Sequence, residues 1–344
     1  MTAALKVLSP GVHTTVQDLG RLGYQAFGVP VSGALDAVSH RLANRLVGNA
    51  DNAPTLEILF HGPTLEVQAD SVRVGIVGGE AEIELLGDRP RSLGGWRSVT
   101  LRRNQVFRVS RLGDVACCYL SAEGGFAVEP CLGSASTYAR GGIGGFEGRA
   151  LHAGDLLPLM CEHASETSEL GLAEPPPTGL DQPIRLVLGP QQDYFTDAAL
   201  SSLVTDAFTV SKHSDRMGMR LEGATLAHRD GYNIVSDGIA TGAIQVPGSG
   251  QPILLLADHQ TTGGYPKIAT VISADIPVVG RRKPGDSIRF TAVEVEEAER
   301  LRREAEAAFE GLVAGLAPIK PTGEPDPSRL LEANLISGVV FDDA

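Results

Sequence analysis

The sequence predicts a mainly β chain with a few helices, arranged as two β-rich domains. Three features carry this expectation: the length, the many short apolar runs bounded by Gly, Pro or Asp, and the small number of amphipathic helical stretches. At 344 residues the chain exceeds the size at which one hydrophobic core stops growing, so two cores are expected. The 42% apolar and 21% charged composition lies in the globular range, which lets each half bury a core without covalent staples. The 41 glycines and 21 prolines are scattered among apolar runs and form no repeat, as a fold with many turns requires.

The strands come first. Val72, Val74 and Ile76 alternate with other residues, as do Ile184, Leu186 and Leu188; period two marks a half-buried strand. Residues 115–120 and 252–257 are almost wholly apolar and short, which fits fully buried strands. Three helices are expected. The first starts from an N-cap at Asp36, carries Val38, Leu42, Ala43 and Leu46, and stops at Gly48, a residue suited to the left-handed position past a helix end. The second begins near Asp193 with Phe195, Ala199, Leu200 and Leu203 on one face. The third spans 293–313, with Glu296–Arg300 and Glu299–Arg303 pairs at four-residue spacing and a buried stripe of Val295, Ala298, Leu301, Ala305 and Leu312 packing across a sheet.

The expected boundaries are an N-terminal domain at 1–165, a linker at 166–183, a C-terminal domain at 184–316 and a tail at 317–344. Pro175, Pro176 and Pro177 resist both helix and central strand, which places the linker. In the tail, the apolar stretch 335–341 is expected to clip onto the fold or a partner. Gly154-Asp155-Leu156 and Gly285-Asp286-Ser287-Ile288 each precede an apolar strand, a hint that one β architecture occurs twice.

Charge and cysteine usage exclude several classes. The net charge of -13 repels phosphate backbones and anionic lipid, so neither nucleic acid nor membrane is an expected partner. No run approaches the roughly 18 apolar residues of a membrane span, and a cytoplasmic location is expected. Cys117, Cys118, Cys131 and Cys161 form no Cys-x-x-Cys and read as reduced thiols. No metal ligand set is expected. There is no Gly-x-Ser-x-Gly elbow, no phosphate loop, no zinc helix and no Met-Lys-Met biotin-carrying tripeptide, so ATP or biotin chemistry must involve another chain or domain.

Three segments could carry chemistry. In 16–33, glycines let the backbone turn its N–H groups toward a ligand, and Arg21 could pair with a carboxylate or brace the loop against Asp18. In 134–145, Ser134 and Arg140 supply donors beside a Gly-rich turn, whose other reading is a mobile hairpin tip. The third and richest cluster joins Asp215 and Arg216, Gln245, and Asp258, Gln260, Thr261, Thr262, Tyr265 and Lys267. Both glutamines can donate to and accept from an amide edge, Asp258 can take a proton, and Lys267 or Arg216 can stabilise an oxyanion. Such groups suit a small amide or carboxylate substrate. His259 reads as a structural, hydrogen-bonded residue.

Taken together, Ser9-Pro10-Gly11, Val16-Gln17-Asp18-Leu19-Gly20-Arg21, Ala43-Asn44-Arg45-Leu46-Val47-Gly48-Asn49, Leu56-Glu57, Leu132-Gly133-Ser134 and Pro284-Gly285-Asp286 resemble the family called allophanate hydrolase subunit 2, KipA or biotin-dependent carboxyltransferase, which includes the C subunit of ATP-dependent 5-oxoprolinase. The resemblance spans nearly the whole chain. It implies tandem cyclophilin-like β-barrel domains, KipI-like and LamB/YcsF-like partner subunits, and ATP used by the complex to open the lactam of 5-oxo-L-proline to L-glutamate. The alternatives it carries are carboxyl transfer or allophanate hydrolysis in urea breakdown, with biotin on another chain, and non-catalytic binding of a KipI-type kinase inhibitor. Two segments depart from the family pattern. Val77-Gly78-Gly79-Glu80 stands where Thr-Gly-Ala-Asp is common, and Gly280-Arg281-Arg282-Lys283 stands where Gln precedes the last Pro-Gly-Asp.

Overall fold

The computed structural model describes residues 3–319; the stretch 335–341 lies outside the described residues. The chain is mainly β, and its described α-helices are Ala37–Leu46, Asp197–Thr205, Ile276–Gly280 and Val295–Ala314.

The first half, with Ala317–Pro318 added at the edge of one sheet, folds as two sheets. One runs in the order Leu156–Pro158, Ala4–Ser9, Thr64–Val67, Val106–Ser110, Glu82–Leu86, Arg91–Leu93, and the other in the order His13–Gln17, Thr55–Leu59, Cys117–Ala122, Ser71–Val77, Arg97–Arg102, Leu170–Gly171, Ala317–Pro318. Leu5, Val7, Leu65 and Phe107 of the first sheet and Val16, Leu56, Val74 and Leu120 of the second share one core. The second half is a closed barrel of Ile184–Leu188, Lys267–Val271, Ala243–Gln245, Ile253–Leu255, Gly218–Glu222, Ala207–Val210 and Ser287–Ala292. Closure leaves no unpaired edge, and Leu186, Phe208, Leu221, Ile244, Leu254 and Phe290 fill its interior.

The repeated Gly-Asp turn recurs bond for bond. Gly154 and Gly285 take the left-handed φ values of 96° and 93° that a side chain would strain. Gly154 N donates to Val7 O and Val7 N to Asp155 O, both at 2.8 Å; Gly285 N donates to Val210 O at 2.8 Å and Val210 N to Asp286 O at 2.9 Å. The Asp155 carboxylate accepts from His152 N at 2.7 Å and the Asp286 carboxylate from Lys283 N, also at 2.7 Å. Two copies of one supersecondary unit, one in each half, explain this identity of partners.

Of the three expected helices, the second and the last differ from expectation. The first matches: Asp36 accepts from Ser39 N at 3.1 Å, Leu42, Ala43 and Leu46 are buried, and Gly48 has a φ of 76°. The second starts later than expected, because Phe195 is extended and sunk in the barrel core while Thr196 caps the helix by accepting from Ala199 N at 3.2 Å. In the last helix Arg300 pairs with Glu297 at 2.5 Å and with Glu304, and leaves Glu296 aside. Its expected stripe is only half-buried and Val295 is exposed. The N-terminal part of the helix lies against the barrel strand Ile184–Leu188, and further along the helix lays Phe309 beside the first helix, where the Arg41 guanidinium sits 3.7 Å from the ring centroid and binds Glu306 at 2.6 Å. The strand Ser71–Val77 is buried on both faces, since the first helix covers the side that alternation assigned to solvent. Within 166–183, Gly171 pairs with Arg97 and with Ala317, so part of this proline-rich segment joins the sheet of the first half.

Candidate functional site

A cavity of about 330 Å³ opens between the two halves. It lies at the small end of the volumes that hold small molecules and at a junction where such sites concentrate. The first half contributes His13, Leu35, Leu59, Phe60, Ala139 and Arg140, and the barrel side contributes Val210, Asp215, Arg216, Met219, Leu256, Asp258 and Arg282. The wall is mostly apolar, with a few charged groups placed on it. Phe60 holds a φ of 64° at this surface, a conformation a bulky residue rarely adopts.

Beneath the cavity runs a buried ionic network that joins the halves. Arg216 donates from Nε to Asp258 at 2.9 Å, from Nη2 to the Gly33 carbonyl at 2.7 Å, and from Nη1 to Glu57. Glu57 also accepts from the Tyr119 hydroxyl at 2.7 Å and from Leu35 N at 2.8 Å. Tyr119 in turn accepts from Asp36 N at 2.8 Å, and the Asp36 carboxylate receives Arg281 Nε at 2.6 Å. Burial opposes the charge on Arg216, but the Glu57 and Asp258 carboxylates win and hold its pKa above the ordinary value. Burial pushes the Tyr119 hydroxyl up, so it stays protonated and serves as a donor.

The residues expected to act together fall into three places. Arg140, Asp215, Arg216 and Asp258 meet at the cavity, with Arg140 and Asp215 bridged at 2.9 Å on its rim. Lys267, Gln245, Gln260 and Tyr265 form a separate cluster under the loop that carries Asp237. Lys267 Nζ binds Asp237 at 2.5 Å and the Gly238 carbonyl at 3.0 Å, Gln260 donates to Gln245 at 3.2 Å, and Gln245 donates to the Tyr265 carbonyl at 3.4 Å. Thr262 belongs to the two-residue strand that pairs with Asp237–Gly238, and Ile239 N donates to the Thr261 carbonyl at 3.1 Å. None of these lines the cavity.

Arg21 and Ser134 occupy a third place, inside the first half. Arg21 is fully buried and donates to the carbonyls of Cys131 at 2.9 Å and Ser136 at 2.8 Å. The Asp18–Arg21 ion pair, one of the two readings of this loop, is not formed. Asp18 instead accepts from Ser134 Oγ at 2.7 Å, Ser136 Oγ at 2.5 Å, Ala135 N at 2.7 Å and Gly20 N at 2.8 Å. The two Gly-rich segments thus lace into each other, and the Gly-rich turn is a packed element because a Cβ at Gly144 would meet the Ser136 carbonyl at 2.2 Å. With four donors converging on one buried carboxylate, Asp18→Ala is expected to cost about 3 kcal/mol of stability, read by urea unfolding.

His13 and Arg282 are polar cavity residues that sequence reasoning missed. Burial, then the nearby Arg216 charge, lower the pKa of His13, so its imidazole is neutral at pH 7. A lone histidine starting a strand carries no local signal; only closure of the two halves brings it to Arg216. His259 keeps the structural role expected of it, with Nδ1 2.6 Å from the Gln260 carbonyl and Nε2 3.2 Å from the Thr241 hydroxyl. Among the described residues no group of three or more His, Cys, Asp or Glu could hold a metal ion, and no helix is long and apolar enough to cross a membrane.

Comparison with known proteins gives this geometry its relatives. The chain is 39% identical to the C subunit of the Haemophilus influenzae 5-oxoprolinase over 302 residues, covering 88% of this chain and 95% of that protein. It is 37% identical to the C subunit of the Escherichia coli 5-oxoprolinase, covering 90% and 97% of the two chains. The crystal structure of the Kluyveromyces lactis urea carboxylase superposes with a TM-score of 0.81 at 30% identity, over 93% of this chain and 30% of that one. Residues 27–292 match the family model described as carboxyltransferase domain, subdomain A and B, and the chain belongs to that carboxyltransferase-domain family.

Proposed function

We propose that this chain is the C subunit of an ATP-dependent 5-oxoprolinase that opens the lactam of 5-oxo-L-proline to L-glutamate, acting in the cytoplasm with KipI-like and LamB/YcsF-like partners and inactive without them. The observation that carries this reading is the end-to-end match to two bacterial 5-oxoprolinase C subunits, 95% and 97% of whose lengths are covered. The cavity supports it. Its apolar walls suit a small ring, and its charged groups suit the polar edge of an amide. A lactam is a stable amide, and coupling to ATP activates its carbonyl oxygen before water attacks, with N–H donors needed at that oxygen.

In this reading Asp258 remains the proton-accepting group, and Arg216, which holds both of its carboxylate oxygens, orients it. His13 adds a neutral imidazole on the opposite wall. Lys267, Gln245, Gln260, Thr261, Thr262 and Tyr265 shape the barrel surface and its loop, and Arg21 and Ser134 brace the first half. The division at 1–165 and 184–316 makes the cavity an interdomain site.

Purified chain mixed with its two partner subunits is expected to release glutamate from 5-oxo-L-proline in an ATP-dependent manner. Asp258→Asn should lower kcat on the order of 100-fold while leaving the assembled complex intact by size-exclusion chromatography. An assembled complex that releases no glutamate would reject the reading. The structural likeness to urea carboxylase favours a second reading, carboxyl transfer from biotin carried on another chain to an amide nitrogen. In that case activity would follow supply of biotinylated protein and urea, and 5-oxo-L-proline would be inert.

A further inference from the structure

We propose that Arg282 is the anion anchor of the cavity, so that the ligand admitted there is a small cyclic amide bearing a carboxylate and not a neutral amide such as urea. This rests on the reading of the cavity as the lactam site and extends it to substrate class.

Arg282 differs from every other cation around it. Arg140 is bridged to Asp215 at 2.9 Å, Arg216 to Asp258 at 2.9 Å and to Glu57, Arg281 to Asp36 at 2.6 Å, and Lys283 approaches Asp114 at 3.8 Å. Among the described residues no carboxylate comes within bridging distance of Arg282. Its guanidinium donates only to main-chain carbonyls, from Nη1 to Ser287 at 3.1 Å and from Nη2 to Gln182 at 3.4 Å, and its buried Nε has no partner. Yet the side chain is only 6% exposed and lines the cavity.

A buried guanidinium without a counter-ion is costly, since carbonyl dipoles replace only part of its hydration. Burial pushes the pKa of Arg282 below its ordinary value, and the charges of Asp286 and Asp181 only partly offset it. A ligand carboxylate would supply the missing countercharge, and a planar carboxylate matches the fork of guanidinium donors. Leu35, Leu59, Val210, Met219, Leu256 and Val279 offer the apolar ground on which the ring of such a ligand would lie. Urea has no carboxylate to offer and no ring to bury.

The test uses the assembled complex, with 5-oxo-L-proline as substrate and pyrrolidin-2-one, the same lactam without the carboxylate, as a competing ligand. Arg282→Gln is expected to raise KM for 5-oxo-L-proline about 10–100-fold, the loss of a charge-assisted hydrogen-bonded pair, while the inhibition constant of pyrrolidin-2-one stays put. Arg282→Lys, which keeps the charge but not the fork, should recover part of the loss. Should pyrrolidin-2-one fail to bind the wild type, that partial recovery, at an unchanged Tm for both variants, carries the same decision. Ala139→Trp, which fills the exposed rim of the cavity, separates the anchor from the site. If it abolishes turnover while Arg282→Gln leaves KM unchanged or weakens both ligands equally, the site stands and the anchor is overturned. If it leaves turnover untouched, the cavity is not the lactam site, and the inference falls with it.

Discussion

Arg216→Met is expected to lower the free energy of unfolding by about 3–5 kcal/mol, because it strands two carboxylates in the junction between the halves. Glu57 is fully buried and Asp258 nearly so, and Arg216 is the cation that bridges both. The methionine fills much of the vacated space, so the loss reports charge and hydrogen bonding more than volume. Urea unfolding at pH 7.5 reads the effect directly. Adding Glu57→Gln and Asp258→Asn to the same chain should restore most of the stability, since a buried ion cluster replaced as a whole costs far less than one broken in part. A single-variant loss below about 1 kcal/mol would mean that the network does not hold the halves together.

Acid should destabilise the protein well before its surface carboxylates titrate. His40 is buried in the first helix, with Nδ1 2.8 Å from the Thr55 hydroxyl, its ring edge-on to Tyr119 at 5.9 Å between centroids, and Nε2 without a partner. Burial lowers its pKa from 6.5 to about 4. The unfolded chain therefore takes up this proton first as pH falls. Stability contributed by the neutral ring is complete above pH 6.5, declines between 6.5 and about 4, and is fully lost below that. The gap between 6.5 and about 4 corresponds to about 3 kcal/mol. His13 and His259, whose pKa values burial also lowers, steepen the slope in the same direction. Unfolding measured at pH 7.5, 5.5 and 4.5 should show the decline, and His40→Gln should flatten it. Parallel curves for the two proteins would reject the assignment to His40.

The features legible in the sequence share a short range. The first helix could be placed from its cap at Asp36 to its stop at Gly48 because capping and periodicity involve residues a few positions apart. The second was misplaced because Phe195 lies in register with a helical face, while the barrel core claims it in an extended backbone and passes the capping role to Thr196. The pairing of Arg300 with Glu304 in place of Glu296 is a choice between two turns of one helix that spacing alone does not rank.

The candidate site was legible as a set of residue types and not as a place. Asp215, Arg216 and Asp258 come together because the turns that carry them flank two strands, Gly218–Glu222 and Ile253–Leu255, that are antiparallel neighbours in one barrel, and Asp258 N donates to the Arg216 carbonyl at 2.9 Å. Gln245 and Lys267 lie on strands of the same barrel, but side chains of a strand alternate in direction and these face away from the interior that Ile244 and Ile268 fill, Lys267 meeting Asp237 and Gln245 meeting Gln260 of a neighbouring loop. Arg21 and Ser134 offered the donors of a binding loop, yet the two Gly-rich segments consume those donors on each other.

By itself the sequence determined the β-rich class, the first helix, the repeated Gly-Asp turn and the family resemblance, all of them written in runs of neighbouring residues. Only the tertiary structure decided that Arg216 would find Glu57 across a separation of 159 positions, that His13 would face it, and that Arg282 would be left without a carboxylate at the cavity. These outcomes depend on how two separately cored halves close upon each other, and contacts between distant segments are set by that closure and not by local spacing.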